Sequence, residues 1–226
     1  MNFVLLLFLV AIPSYVIGSI NGAIITSKVF YRKDIRKFGS GNPGLTNFFR
    51  VFGKGGVLLV ILIDMLKTIT PVVFGGWMFA LFVTLTPVAP GWLFSRFFEI
   101  SLLGTIYSGF FVMLGHCFPV FYKFRGGKGV MATGVLVIML DWRLALICWS
   151  IFIIVVLITR FVSLGSIIGS LAMPFVMHFA LSLGGLQEFI ALLICAVLVV
   201  LRHERNIVKI FKGQESKFKF KKTENT

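Results

Sequence analysis

Apolar residues fill long uninterrupted runs: Met1–Ala23, Val57–Leu85, Leu102–Phe121, Leu144–Thr159, Leu164–Leu183 and Phe189–Leu201. Most approach the roughly 20 residues a helix needs to cross about 30 Å of hydrocarbon. None alternates with the period-two rhythm of a membrane barrel strand. The pattern predicts an all-α integral membrane protein, one polytopic domain over residues 1–226 with a tail from about residue 213. A further apolar segment, Val130–Leu140, rises only about 16 Å as a helix. It reads as a half-helix, a strongly tilted crossing or a site of local bilayer thinning, unless its ends lie a few residues further out.

The polar segments between the runs decide the orientation. Lys28, Arg32, Lys33, Arg36, Lys37, Arg50 and Lys54 crowd the first, and Lys123, Arg125 and Lys128 sit in another. Eight more cations follow from Arg202 to Lys222. The segments near Thr84–Glu99, Asp141–Arg143 and Ser182–Glu188 carry only Arg96 and Arg143. The positive-inside bias places the cation-rich segments in the cytoplasm. The N-terminus is then outside, the C-terminus is cytoplasmic, and about seven transmembrane helices reconcile every loop. The N-terminal run lacks a basic leader and exceeds a usual signal core, so it reads as a membrane helix.

Composition agrees: 58% of residues are hydrophobic, 13% are charged and the formal net charge is +14. Mean hydropathy is +0.99. An ordinary soluble domain is excluded. Cys117, Cys148 and Cys195 lie in or beside apolar runs without CxxC spacing, which reads as buried thiols rather than a disulfide framework or a zinc site.

Candidate chemistry gathers on the cytoplasmic side. In "GSGNPGLTNFFR", Asn42 suits a helix cap and Pro43 a first helical position, with the helix running to about Val51 and stopping at Gly53. Its free N–H groups would face Ser40–Gly41, an anion-sized cup. Pro43, Asn47 and Arg50 would share one face with Thr46 beside it. Phe48, Phe49 and Phe52 would fall elsewhere and dip into the membrane. In "GHCFPVFYKFRGGKG", Gly126, Gly127 and Gly129 let backbone approach a ligand next to Arg125 and Lys128, again ahead of a helix. No GxxxxGK[ST] is present. His116 lies just inside the preceding crossing. In "RHERNIVKIFKGQE", His203 and Asn206 are i, i+3 neighbours with Arg202 close by. A capped surface helix, a flexible basic loop and a cation-rich helix end are the plainer readings of these segments. Asp64 and Lys67, i and i+3 inside the second apolar run, read as an ion pair or a functional pair. Ser163 lies in a short turn. HxxxxD, GxSxG and aspartate clusters are absent, which argues against a metal-dependent mechanism. An anion transporter with phosphate-binding loops is the competing reading, though no internal symmetry supports it.

"GSGNPGLTNFFRVFGK", "GHCFPVFYKFRGGKGV", "TRFVSLGS" and "RHERNI…G.E", with "GSINGAIITSKVF…DIR" and "DMLKT", resemble in content and order the motifs of the bacterial acyl-phosphate:glycerol-3-phosphate acyltransferase family. The resemblance runs from about Gly18 to Glu215. It implies a seven-helix enzyme of the bacterial cytoplasmic membrane with its site on the cytoplasmic side. Such an enzyme acylates the 1-hydroxyl of glycerol 3-phosphate from acyl phosphate, giving lysophosphatidic acid, without metal or cofactor. Its implied partners are membrane lipid and the acyl-phosphate-forming enzyme, not nucleic acid. Ser40 and Arg50 match residues important for catalysis. Gly126, Gly127, Lys128 and Gly129 match the glycerol-phosphate loop, and Ser163 a serine motif near the site. His203 and Asn206 match residues needed for activity. Gly41, Asn42, Thr46, Asn47 and Arg125 complete the expected phosphate contacts, with Asp64, Lys67, His116 and Glu204 as support. The family usually reads Arg-His-any-Glu-Asn, whereas Glu204 here stands one position early, moving the carboxylate by about 100° on a helix.

Overall fold

The computed structural model describes residues 2–85 and 93–218. Of the expected outer loop Thr84–Glu99, residues 86–92 lie outside the described residues, as does the end of the basic tail at residues 219–226, while Leu93–Glu99 are not loop but the start of a helix that runs to Cys117. The chain order is α1 (Phe3–Gly18), α2 (Gly22–Tyr31), a 3-10 turn at Ile35–Lys37, α3 (Leu45–Phe52), α4 (Val57–Leu85) and α5 (Leu93–Cys117). A 3-10 turn at Val120–Tyr122 leads to α6 (Val130–Leu140), α7 (Trp142–Thr159) and α8 (Val162–Phe175). A π-helical turn at Val176–Ala180 extends α8, and α9 (Leu186–Arg202) and α10 (Glu204–Phe211) follow. Among the described residues all regular structure is helical.

Among the described residues, five segments are long and apolar enough to cross a membrane: Phe3–Tyr31, Val57–Leu85, Ser101–Tyr122, Trp142–Thr159 and Val162–Ala180. Helices α9 and α10 make a sixth if taken together, but they meet at a 58° bend. The remaining expected crossing is α6, which has the bounds read from the sequence and only 11 residues. Its short length has a local cause. Asp141 ends α6 and at once caps α7, its carboxylate accepting the N–H groups of Arg143 and Leu144. Leu136 is fully buried and Ala132 and Val137 nearly so, in the cluster that α6 shares with α5, α7 and α9.

The first span is broken. Ser19 ends α1, and Asn21 caps α2 by accepting the Ile24 N–H at 2.9 Å. The exposed apolar side chains, among them Leu62, Leu66, Ile154 and Ile158, face outward from the bundle. Apolar side chains meet lipid as readily as one another, so helix association relies on close packing of small residues. Gly75 on α4 faces Gly104 and Ser108 on α5, and a Cβ on Gly104 would meet the Gly75 carbonyl and the Phe79 side chain. Gly18 on α1 lies against the Val112 backbone of α5. Cys117, Cys148 and Cys195 are buried and free, as expected.

Gly104→Val should therefore force α4 and α5 apart. Overpacking of this kind costs about 1–3 kcal/mol. A lower thermal midpoint and folded yield in detergent, against an unchanged midpoint for an outward-facing Leu66→Val control, is the expected result.

Candidate active site

The first motif folds differently from its sequence expectation. Helix α3 begins at Leu45, with Gly44 as its cap and no side-chain cap bond. Asn42 and Pro43 precede it, because the Pro43 carbonyl is drawn to the Asn21 amide at 3.1 Å. Pro43 thus shares no helical face with Asn47 and Arg50. The helix does stop at Gly53. Phe48 is fully buried against Tyr31 and Phe52 in the cluster of α2, α3 and α4, instead of dipping into lipid. Only Phe49 of the three is classed as exposed.

Asn47 is nearly buried, and both ends of its amide hold the preceding loop. It donates to the Phe38 carbonyl at 3.0 Å and accepts the Ser40 N–H at 2.9 Å. Between those two residues Gly39 adopts φ +58°, and a side chain there would strike the Asn47 amide oxygen. Asn47 therefore shapes the Ser40 turn rather than offering its amide to a ligand. Ser40, Thr46 and Arg50 are exposed around this turn, and Gly41 and Asn42 are half-buried. The same loop is tied to the second motif by Arg36, paired with Asp34 at 2.7 Å and donating to the Tyr122 carbonyl at 3.0 Å.

The glycine-rich loop is clamped from both sides. The Gly127 N–H donates to the His116 carbonyl at 3.0 Å, and its carbonyl accepts from Arg202 Nε at 3.2 Å. Side chains at Gly126 or Gly127 would collide with His116. Arg202 also lies over the Phe118 ring. Lys128 then points to α10 and donates to Asn206 Oδ1 at 2.6 Å. Gly129, with φ +81°, turns the chain into α6, whose first-turn N–H groups have no partner inside the helix. Arg125 is exposed.

The third motif is not one continuous helix. His203 closes α9 and opens α10. The Asn206 N–H donates to the His203 carbonyl at 2.9 Å, which preserves the neighbourhood expected from spacing. The buried His203 ring has Nδ1 at 2.8 Å from the Val199 carbonyl. A carbonyl only accepts, so Nδ1 carries the proton and Nε2 keeps its lone pair. Glu204 is exposed at the start of α10, outside this cluster.

Glu215, absent from the candidate residues, supplies the acid. Its Oε1 accepts from Asn206 Nδ2 at 2.7 Å and from Ser163 Oγ at 2.7 Å. Ser163 is not in a turn but in the first turn of α8, and it is buried. The signal for Glu215 lay in its motif position and in the scarcity of carboxylates: eight in the whole chain. Burial pushes the Lys128 ammonium down to about 8; Glu215 opposes this, while Lys209, Arg202 and Arg50 add to it. The three motifs thus converge electrostatically on one cationic cluster around Lys128. It can hold a phosphate through Lys128 and loop N–H groups, with an imidazole beside it.

Asp64, Lys67 and His116 lie under the loop. They are 1%, 4% and 3% exposed, and the Asp64–Lys67 pair spans 2.8 Å.

Residues 8–213 match the family model described as glycerol-3-phosphate acyltransferase. The chain is 36% identical over 221 residues to the glycerol-3-phosphate acyltransferase of Staphylococcus carnosus, covering 96% of this chain and all of that protein. It is 37% identical over 216 residues to that of Staphylococcus saprophyticus, with the same coverage. Among solved structures it is similar to PlsY (YgiH), an integral membrane glycerol 3-phosphate acyltransferase. Against its glycerol 3-phosphate form the TM-score is 0.76 at 27% identity, over 94% of this chain and 96% of that one. Against its lysophosphatidic acid form it is 0.75 at 26% identity, over 94% and 95%. The broken first helix, the clamped glycine loop and the bent last helix carry the motifs that this likeness covers: the chain belongs to the glycerol-3-phosphate acyltransferase family.

Proposed function

We propose that the protein transfers a fatty acyl group from acyl phosphate to the 1-hydroxyl of sn-glycerol 3-phosphate. The products are lysophosphatidic acid and inorganic phosphate, released at the cytoplasmic face of a bacterial cytoplasmic membrane. The observation that carries this reading is the Lys128–Asn206–Glu215–Ser163 chain, which joins three separated motifs at one cationic cluster. Family membership supports the acceptor.

Acyl phosphate is already activated, so the site has to align a hydroxyl and a carbonyl and stabilise the charge that develops. The hydroxyl oxygen bonds to the acyl carbon, and the carbon–oxygen bond to phosphate breaks with its electron pair leaving on phosphate. The hydroxyl proton passes to His203 Nε2 or to a phosphate oxygen. Lys128 and the glycine loop hold the glycerol phosphate, with Arg125 at the loop's edge. Arg50, with the Ser40–Gly41–Asn42 turn and Thr46, holds the departing phosphate. Each of these steps runs on the chain's own residues, and the reading assigns no metal or cofactor.

On this reading the Arg32–Lys54 segment, the Lys123–Gly129 loop and the chain after Arg202 share the cytoplasmic face. Single cysteines there should resist impermeant thiol reagents in intact cells; efficient labelling of any one contradicts a shared site. Purified protein should turn over acyl phosphate with little or no activity on acyl-CoA, and comparable kcat/KM for both donors would count against the assigned leaving group.

The two cations should separate kinetically. Lys128→Ala should mainly raise the KM for glycerol 3-phosphate by about 10- to 100-fold, the worth of a charge-assisted hydrogen bond. Arg50→Ala should mainly lower kcat, and Arg50→Lys should rescue poorly because a point charge cannot copy the guanidinium fork. The reverse pattern would exchange the two phosphate positions. Lys128 is a cation below pH 8 and neutral above it. Raising the pH from 7 to 9 should therefore raise that KM by roughly tenfold in the wild type, through the loss of the charged form. Lys128→Arg should flatten the rise, since arginine stays charged.

A further inference from the structure

Lys67 has three ammonium hydrogens, and three acceptors surround them. Asp64 Oδ1 lies at 2.8 Å, the Ile20 carbonyl at 2.6 Å and His116 Nδ1 at 2.8 Å. An ammonium has no lone pair, so Nδ1 accepts and the His116 proton sits on Nε2. Asp64 Oδ1 also accepts the Gly22 N–H at 3.1 Å. Ile20 and Gly22 flank the break between α1 and α2, so this pair satisfies backbone groups that the break releases. The His116 ring lies directly against Gly127, where a Cβ would strike Nε2, and the His116 carbonyl binds the Gly127 N–H. One polar chain thus runs from the broken first span, through α4 and the end of α5, to the residue before Lys128.

We propose that Asp64, Lys67 and His116 are positioning residues that set the height and tilt of the glycine-rich loop, and so aim Lys128 at the acceptor phosphate. This deepens, and rests on, the reading of that loop as the glycerol-phosphate cradle. Two costs would favour a simpler arrangement. An ion pair buried at membrane depth stabilises little beyond an apolar pair of similar volume, and a histidine ring under the loop obliges glycine at 127. Both costs fit a site that needs the loop at one fixed position. An apolar seam would leave the ring free to turn about its side-chain torsions; the Lys67 bond fixes it. The His116 arm of the strut ends on Gly127 and Lys128 and so bears on the acceptor, while the Asp64 and Lys67 arms hold Gly22 and Ile20 beside Asn21, which binds the Pro43 carbonyl of the first motif.

Lys67→Met alone leaves the Asp64 carboxylate buried without its cation and is expected to lower folded yield. The decisive variant is Asp64→Asn/Lys67→Met, which removes both charges at nearly constant volume. His116→Leu cuts the ring from Lys67, while His116→Asn keeps an acceptor near the Nδ1 position. In detergent-purified, monodisperse protein, the double variant and His116→Leu should raise the KM for glycerol 3-phosphate about tenfold or more. In His116→Leu the KM for acyl phosphate should stay within about threefold, and His116→Asn should recover much of the loss. Trypsin should cut after Lys128 faster in the two impaired variants than in the wild type, as mass spectrometry of the fragments would show. Unchanged acceptor KM with unchanged cleavage overturns the proposal. So does a loss in His116→Leu that raises both KM values together, which is general loosening. If the wild type fails to acylate glycerol 3-phosphate, the proposed function falls, and the cleavage after Lys128 decides the strut by itself.

Discussion

Backbone N–H and C=O groups kept from water must find partners within the protein, and the buried breaks in this structure answer to that constraint. The first span breaks at Ser19–Asn21, yet the groups that the break frees are met by side chains from other elements. Lys67 takes the Ile20 carbonyl, Asp64 takes the Gly22 N–H, and Asn21 caps α2 while reaching Pro43. The glycine loop has the same problem and the same answer, with His116 and Arg202 taking the two sides of Gly127. Ionisable side chains at such depth would be a heavy penalty as isolated charges. Here they are what makes non-helical backbone tolerable where a ligand has to approach it.

The scarcity of acid sharpens the arrangement. With a net charge of +14, most cations have no carboxylate to meet. Among the described residues the ion pairs are Asp34 with Arg36 between the first two motifs, Asp64 with Lys67 under the loop and Asp141 with Arg143 at the start of α7, while Glu215 reaches Lys128 through the Asn206 amide. The remaining positive field is left for anionic substrate. Burial then makes Lys128 easier to neutralise than an exposed lysine, and on the proposed reading an arriving phosphate would restore the charge by offering it a partner.

Much of this was legible in the sequence, and the parts that were not share a cause. Apolar runs located the spans, and even the short α6 had its ends at Val130 and Leu140. The i, i+3 spacing of Asp64 and Lys67 announced a pair that exists. Motif order identified the family. What spacing could not show was tertiary competition for local groups. Asn42 and Pro43 make a good helix start in isolation, but Asn21 claims the Pro43 carbonyl and the helix waits until Leu45. Phe48 faces outward only if α3 is considered alone; Tyr31 and Phe52 enclose it. Asn47 looked like a ligand contact because the loop that consumes its amide is set by Gly39, a feature of conformation rather than composition. Glu204 held attention because it sat inside the motif, while the working carboxylate stood eleven positions later, beyond the range over which a helical wheel says anything.

That placement of Glu215 has a temporal consequence. Ser163 belongs to α8 and Asn206 to α10, and both depend on a carboxylate that follows every helix described here. A nascent chain emerges in order, so Glu215 is translated only after α8, α9 and α10. Until then Lys128 lacks its acidic neighbour. The tie between α8 and α10 therefore cannot guide the making of the helices it joins; it can only close on them afterwards.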